Sequence, residues 1–114
     1  MRASVGDLLA KLPGPAGERF VAAFAHGTMT VELYAPVGSD PQTPHGQDEL
    51  YFIHAGRGGF ELCGHRHEFR AGDAFFVPAG MEHRFVDFSA DFAAWAVFYG
   101  PYLSESSDGG PARG

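Results

Sequence analysis

The sequence predicts an all-β protein, a sandwich or barrel of about eight antiparallel strands with one short helix leading into it. Two observations carry this. Eleven Phe, four Tyr and one Trp are interspersed with sixteen Gly and eight Pro, a mixture that suits short strands joined by tight turns and not a helical bundle. From Phe20 onward apolar residues recur with period two, and turn signals fall about every eight to twelve residues, the rhythm of a two-layer β fold. A chain of 114 residues is one domain, large enough to build its own core without disulfides or a structural metal.

The elements follow in order. Residues 4–12 are expected to form a short helix. Ser4 is placed to cap it, Asp7 stands at the third helical position as in a capping box, and Leu8, Leu9 and Leu12 share a face. Pro13-Gly14-Pro15 ends it. Residues 1–19 are thus a helical lead whose leucines cover one face of the strands, and residues 20–103 are the β domain. Strands over 19–25 and 28–35 meet at His26-Gly27, a hairpin signal. Residues 36–44 are a loop rich in Pro, Gly and Ser. A strand over 49–55 turns at Gly56-Arg57-Gly58-Gly59 into a hairpin of 59–63 and 67–70 around Gly64. Residues 74–77 form the next strand, Pro78-Ala79-Gly80 turns it into 83–87, and 92–99 is the last long strand. Residues 104–114 contain no apolar residue beyond one Ala. Burial cannot offset their ordering entropy, so a flexible tail is expected.

Charge excludes some partners. The formal charge is −6, with eight basic against fourteen acidic residues and no basic cluster. That argues against nucleic acid and against an anionic membrane surface. No apolar run of 18 residues occurs, and the N-terminus lacks an apolar signal region, so a soluble, cytoplasmic protein is expected. Cys63 is the single cysteine. It excludes an internal disulfide and is expected as a small core residue of a strand.

Two spacings concentrate the chemistry. His45-Gly46-Gln47-Asp48-Glu49 followed by Gly56 has the form H-x3-E-x6-G, and the stretch from Gly72 through Pro78 and Gly80 to His83 has the form G-x5-P-x-G-x2-H. Both resemble the signature motifs of the cupin superfamily, over about residues 36–88. The resemblance implies an antiparallel jelly-roll barrel, and a divalent transition metal (Fe, Zn, Mn or Ni) held by His45, Glu49 and His83. Two imidazoles and one carboxylate offer N and O donors while leaving positions open for water or substrate. The chain departs from the family pattern at Thr43, which stands where the first His of an H-x-H pair is usual, and at Asp87, where Asn is common. Gln47 offers an amide oxygen but is read first as a turn-shaping residue.

Strand side chains alternate in direction. With Glu49 inward, Tyr51 and Ile53 follow it, and Leu50, Phe52 and His54 face outward. On the other motif strand, expected beside the first, His83, Phe85 and Asp87 share the inner face. Tyr51 and Asp87 are therefore the candidate catalytic residues for proton transfer, although a core Tyr is the more frequent case. His65-Arg66-His67 imitates a ligand pair but sits at a hairpin without the following Glu spacing, so no metal role is assigned to it. His26 and His54 read as surface histidines, and Arg57, Arg66, Arg70 and Arg84 as solvated. The outward Leu50 and Phe52, with the leucine face of the helix, exceed what one small barrel covers, and a homodimer is expected. Three readings of function stay open: a metal-dependent oxygenase, lyase or isomerase acting on a small organic substrate, a non-catalytic small-molecule-binding or sensor protein, and a metal-free structural dimer.

Overall fold

A computed structural model describes residues 1–103; the expected tail, residues 104–114, lies outside them. Strands β1 (Phe20–His26) and β2 (Met29–Tyr34) form a hairpin closed by Gly27 and Thr28, one residue later than the sequence indicated. The remaining strands are β3 (Asp48–Ala55), β4 (Arg57–Leu62), β5 (His65–Arg70), β6 (Ala74–Val77), β7 (His83–Val86) and β8 (Ala93–Tyr99). A five-stranded sheet runs in the order β1-β2-β8-β3-β6, and a three-stranded sheet in the order β5-β4-β7. Every ladder is antiparallel. Because β8 inserts between β2 and β3, and β6 and β7 lie in different sheets, this is the crossing pattern of a double-sheet jelly roll. Among the described residues no ladder joins the two sheets, so the barrel is open at its sides.

The inner faces meet in an aromatic core. Phe60, Phe69 and Phe85 of the smaller sheet pack against Tyr51, Ile53, Ala94, Ala96 and Phe98 of the larger one, with Phe92 between. The Phe60 and Phe85 rings lie 4.6 Å apart, and the Tyr51 ring meets Phe85 edge-on at 4.9 Å. Ala94 and Ala96 are fully buried on β8. Small residues there leave room for the large rings opposite, as close packing requires. The aromatic core reaches the buried polar residues, with the Phe98 ring edge-on to His45 at 5.0 Å.

Three expectations need correction. Helix α1 spans only Val5–Leu9, and Ser4 caps it without a side-chain hydrogen bond, so the capping box does not form. Leu8 is buried with Leu33, Ala35 and Ala93, and Leu12 packs against the same cluster, but Leu9 is exposed. A helix of five residues makes little more than one turn, and a single turn cannot bring three leucines to one surface. Gly56 alone turns the chain (φ 91°), while Gly58 and Gly59 continue as strand β4. Gly58 is required there by crowding, because a Cβ on it would stand 2.7 Å from the Phe88 Cα. Cys63 is not a core residue. It is exposed at the β4–β5 turn with φ 48°, and with Gly64 it makes the two successive left-handed residues that a type I′ hairpin demands.

Candidate metal centre

Glu49, Tyr51 and Ile53 point into the sandwich from β3, and all three are buried. His83 and Phe85 do the same from β7. The two motif strands are not neighbours in a sheet, as the sequence reading had them; they face each other across the interior, β3 in the larger sheet and β7 in the smaller. His45 comes from the segment entering β3. Its carbonyl accepts the Gly80 N–H at 2.8 Å, and the Asp48 carboxylate accepts the Ala79 N–H at 2.9 Å. The Met81 N–H closes the turn on the Pro78 carbonyl at 3.1 Å with Gly80 at φ 81°, the position a type II turn reserves for Gly. The turn of the second motif is thus stapled to the first. That is why two stretches far apart in sequence deliver one cluster.

The cluster is compact. His83 Nε2 lies 3.3 Å and His45 Nε2 3.7 Å from Glu49 Oε1. One ligand-type atom from each residue falls within 4.8 Å of the others, and all three residues are buried. Both Glu49 oxygens and His83 Nε2 lack a hydrogen bond of good geometry. Orphaned buried polar atoms are costly. The His83 ring is oriented by its other nitrogen, whose N–H donates to the Met81 carbonyl at 3.0 Å. That bond fixes the tautomer and leaves the Nε2 lone pair aimed at Glu49, the arrangement a metal-binding imidazole needs. The donor set and its orphaned atoms fit a divalent transition metal.

Burial pushes the Glu49 carboxyl up to about 7, against the lowering pull of His83. Burial also works against the His83 imidazolium, but the Glu49 carboxylate and the Met81 carbonyl outweigh it, so His83 titrates above its ordinary value. Without a cation the pair holds on to protons. A bound divalent ion would replace them.

Asp87, expected on the inner face, is on the surface. Strand β7 ends at Val86, and Asp87 takes φ 50°, which breaks the alternation. Its carboxylate accepts from Arg66 Nη1 at 2.7 Å. Tyr51 is where it was expected, fully buried. Its hydroxyl donates to Gln42 Oε1 at 3.0 Å. Burial and the neighbouring Glu49 drive its pKa well above the ordinary phenol value. It is a hydrogen-bond donor throughout the accessible pH range. Gln47 donates to the Thr28 and Gly100 carbonyls at 2.8 and 3.0 Å and so serves the loop, while Thr43 is exposed. His26, His54, His65 and His67 are exposed as well.

Sequence reasoning missed Asp40 and Gln42, which it placed in a plain loop. Asp40 is buried and accepts the Tyr34 hydroxyl, the Phe85 N–H at 2.8 Å and the Gln42 side-chain amide at 2.6 Å. Gln42 Oε1 in turn lies 3.0 Å from His45 Nε2. A signal was present. Pro41 and Pro44 hold the residues before them extended, so Asp40 and Gln42 alternate inward between exposed Pro41 and Thr43. Gln42 also lines a cavity of about 400 Å³ with Arg19, Phe20, Tyr34, Pro36 and Val37 among its walls.

The cupin domain family model matches residues 30–97, well over half of the chain. An uncharacterized protein of Streptomyces coelicolor is 39% identical over 75 residues, which cover 64% of this chain and 71% of that protein. Among solved structures, a cupin 2 conserved barrel domain protein from Salinispora arenicola superposes with a TM-score of 0.67 at 22% identity, covering 88% of this chain and 87% of that one. A protein from Neisseria meningitidis gives a TM-score of 0.65 at 16% identity, over 88% of this chain and 100% of that one. Likeness at such identity speaks to fold alone.

Proposed function

The chain belongs to the cupin domain family, and from that premise we propose that it binds one divalent transition metal through His45, Glu49 and His83 and uses it on a small organic substrate. The observation that carries this is the set of buried ligand atoms on Glu49 and His83 without hydrogen bonds of good geometry, with His45 beside them. A metal there supplies Lewis-acid polarisation or, if it is iron, oxygen activation, so the activity is of oxygenase, lyase or isomerase type. The chain's own contribution is positional. Met81 fixes the His83 tautomer, Asp40 and Tyr51 hold Gln42, and the aromatic core of the sandwich keeps water from the far side of the site. The cavity beside Gln42 would receive the substrate, with apolar walls at Phe20, Pro36 and Val37 and a cation at Arg19, whose Nε donates to the Ala35 carbonyl at 2.8 Å; none of His45, Glu49 and His83 lines it, and Gln42, 3.0 Å from His45, is its link to the cluster.

A second reading has its own support. Asp87 is outside the pocket and Tyr51 is held protonated, so neither offers a ready proton-transfer group. That favours a non-catalytic small-molecule-binding or sensor protein using the same metal and cavity. Elemental analysis of purified protein tests the metal, with one equivalent expected in the wild type and none in His83→Ala. Oxygen uptake and turnover by the loaded protein across a panel of small organic acids then separate enzyme from binder.

The homodimer expected from sequence keeps its outward strand residues, Leu50 and Phe52, and loses the helix leucines. Leu8 and Leu12 are satisfied within the chain, but Phe52 and Phe76 remain 46% and 47% exposed on the outer face of the larger sheet. Leu50 stands between Phe76 and Val97 in the ladder, and Phe52 between Ala74 and Trp95. This is one contiguous apolar face, and a second copy covers it.

A further inference from the structure

We propose that the side-chain oxygen of Gln42 is a fourth protein donor to the metal, taking the place that Thr43 leaves empty. The inference deepens the metal-centre reading and rests on it.

Orientation comes first. An amide presents either its oxygen or its nitrogen to a neighbour, and the hydrogen-bond network decides which. Gln42 Nε2 donates to Asp40 Oδ2 at 2.6 Å. The same Asp40 carboxylate accepts the Tyr34 hydroxyl, the Phe85 N–H at 2.8 Å and the Gln42 backbone N–H at 3.3 Å. A carboxylate surrounded by donors accepts only, so the NH₂ end of Gln42 is pinned to it. The Oε1 end is thereby forced toward the cluster, where it accepts from the Tyr51 hydroxyl at 3.0 Å.

The second step concerns His45. Its Nε2 lies 3.0 Å from Gln42 Oε1, a contact that is a hydrogen bond only while Nε2 carries a proton. Once Nε2 gives its lone pair to a metal, that proton is gone, and two acceptors face each other at hydrogen-bond distance. Two lone pairs so placed repel unless a cation lies between them. Donors bound to one transition metal at about 2.0–2.2 Å stand roughly 2.9–3.5 Å from one another. The 3.0 Å separation of Gln42 from His45 and the 3.3 Å separation of His83 from Glu49 both fall in that interval, and the 3.7 Å separation of His45 from Glu49 lies just beyond it. Thr43, by contrast, is exposed. The donor set becomes two imidazoles, one carboxylate and one neutral amide, with Asp40 and Tyr51 acting on the metal only through Gln42.

The test uses the full-length protein with Zn²⁺ and Co²⁺. Gln42→Met removes the amide at similar volume. It is expected to keep one metal per chain but to bind Zn²⁺ about tenfold to a hundredfold more weakly in chelator competition. The Co²⁺ absorption bands are expected to change in position and intensity, which a purely positioning residue would leave in place. The wild type supplies a measurement that does not depend on the variant folding. The chain has two glutamines, Gln42 and Gln47, so ¹³Cδ-glutamine labelling gives two side-chain carbonyl signals. Zn²⁺ is expected to move that of Gln42 and not that of Gln47. Unchanged Co²⁺ bands with an affinity within threefold of wild type, or a static Gln42 carbonyl, overturns the inference while leaving the three-ligand site standing. A wild type that takes up neither metal overturns the metal-centre reading itself, and this inference with it.

Discussion

Replacing Glu49 with Gln removes a carboxyl whose titration is displaced by burial. Its pKa is raised from an ordinary 4.5 to about 7, with desolvation the leading cause. The folded, metal-free protein therefore holds this proton more tightly than the unfolded chain. Stability from the protonated form is fully present below pH 4.5 and is lost as pH rises through about 7. At about 1.4 kcal/mol per pH unit, a rise from 4.5 to about 7 corresponds to about 3 kcal/mol. Glu49 is fully buried, so solvent screening does not reduce this. His83 is also raised, and its contribution is lost in the same direction as pH increases. Gln keeps the shape of the protonated acid and has no such loss. In metal-free buffer, wild type and Glu49→Gln are expected to melt together near pH 4.5. By pH 8 the variant is expected to be more stable by about 3 kcal/mol, more than about 10 °C in Tm for a domain of this size. Saturating Zn²⁺ should reverse the order, because the wild type gains binding free energy that a neutral amide at position 49 cannot match. Thermal melts of both proteins across this pH range, with chelator and with Zn²⁺, make the measurement. A wild-type-to-variant difference that stays flat from pH 4.5 to 8 refutes the desolvation argument.

Three further outcomes are expected. His83→Ala abolishes stoichiometric metal by elemental analysis, whereas His65→Ala and His67→Ala leave it intact, since both of those side chains are exposed on β5; loss of metal in the β5 variants sinks the site assignment. Phe60→Ala costs about 3–5 kcal/mol in urea unfolding, because the ring is fully buried against Phe75 and Phe85, and a cost below about 1 kcal/mol means the two sheets pack otherwise. Phe52→Glu with Phe76→Glu halves the mass seen by light scattering at micromolar concentration, and a wild type already monomeric there removes the dimer.

The local sequence determined what local physics controls. Period-two alternation placed Tyr51 and Ile53 beside Glu49, and Phe85 beside His83, on buried faces, because pleating alone fixes those directions. Gly and Pro marked the turns, and the spacing from Gly72 to His83 carried both the turn and the ligand. What the sequence could not decide depends on which surfaces meet. Whether β3 and β7 lie side by side or face to face is a matter of sheet pairing, which loops of very different length make compatible with the same strand pattern. Asp87 looked inward while alternation was assumed to continue, and a single left-handed residue after Val86 turned it to Arg66. Cys63 looked buried because it is small and apolar, yet the two-residue hairpin needed it at the tip. Asp40 and Gln42 looked like ordinary loop residues. Only tertiary packing brought the Phe85 N–H and the Tyr34 hydroxyl to Asp40 and so aimed Gln42 at His45. Hydrogen bonds between residues as far apart in sequence as Asp40 and Phe85 have no periodicity to announce them; they form because packing withdraws the carboxylate from water and leaves it protein donors alone.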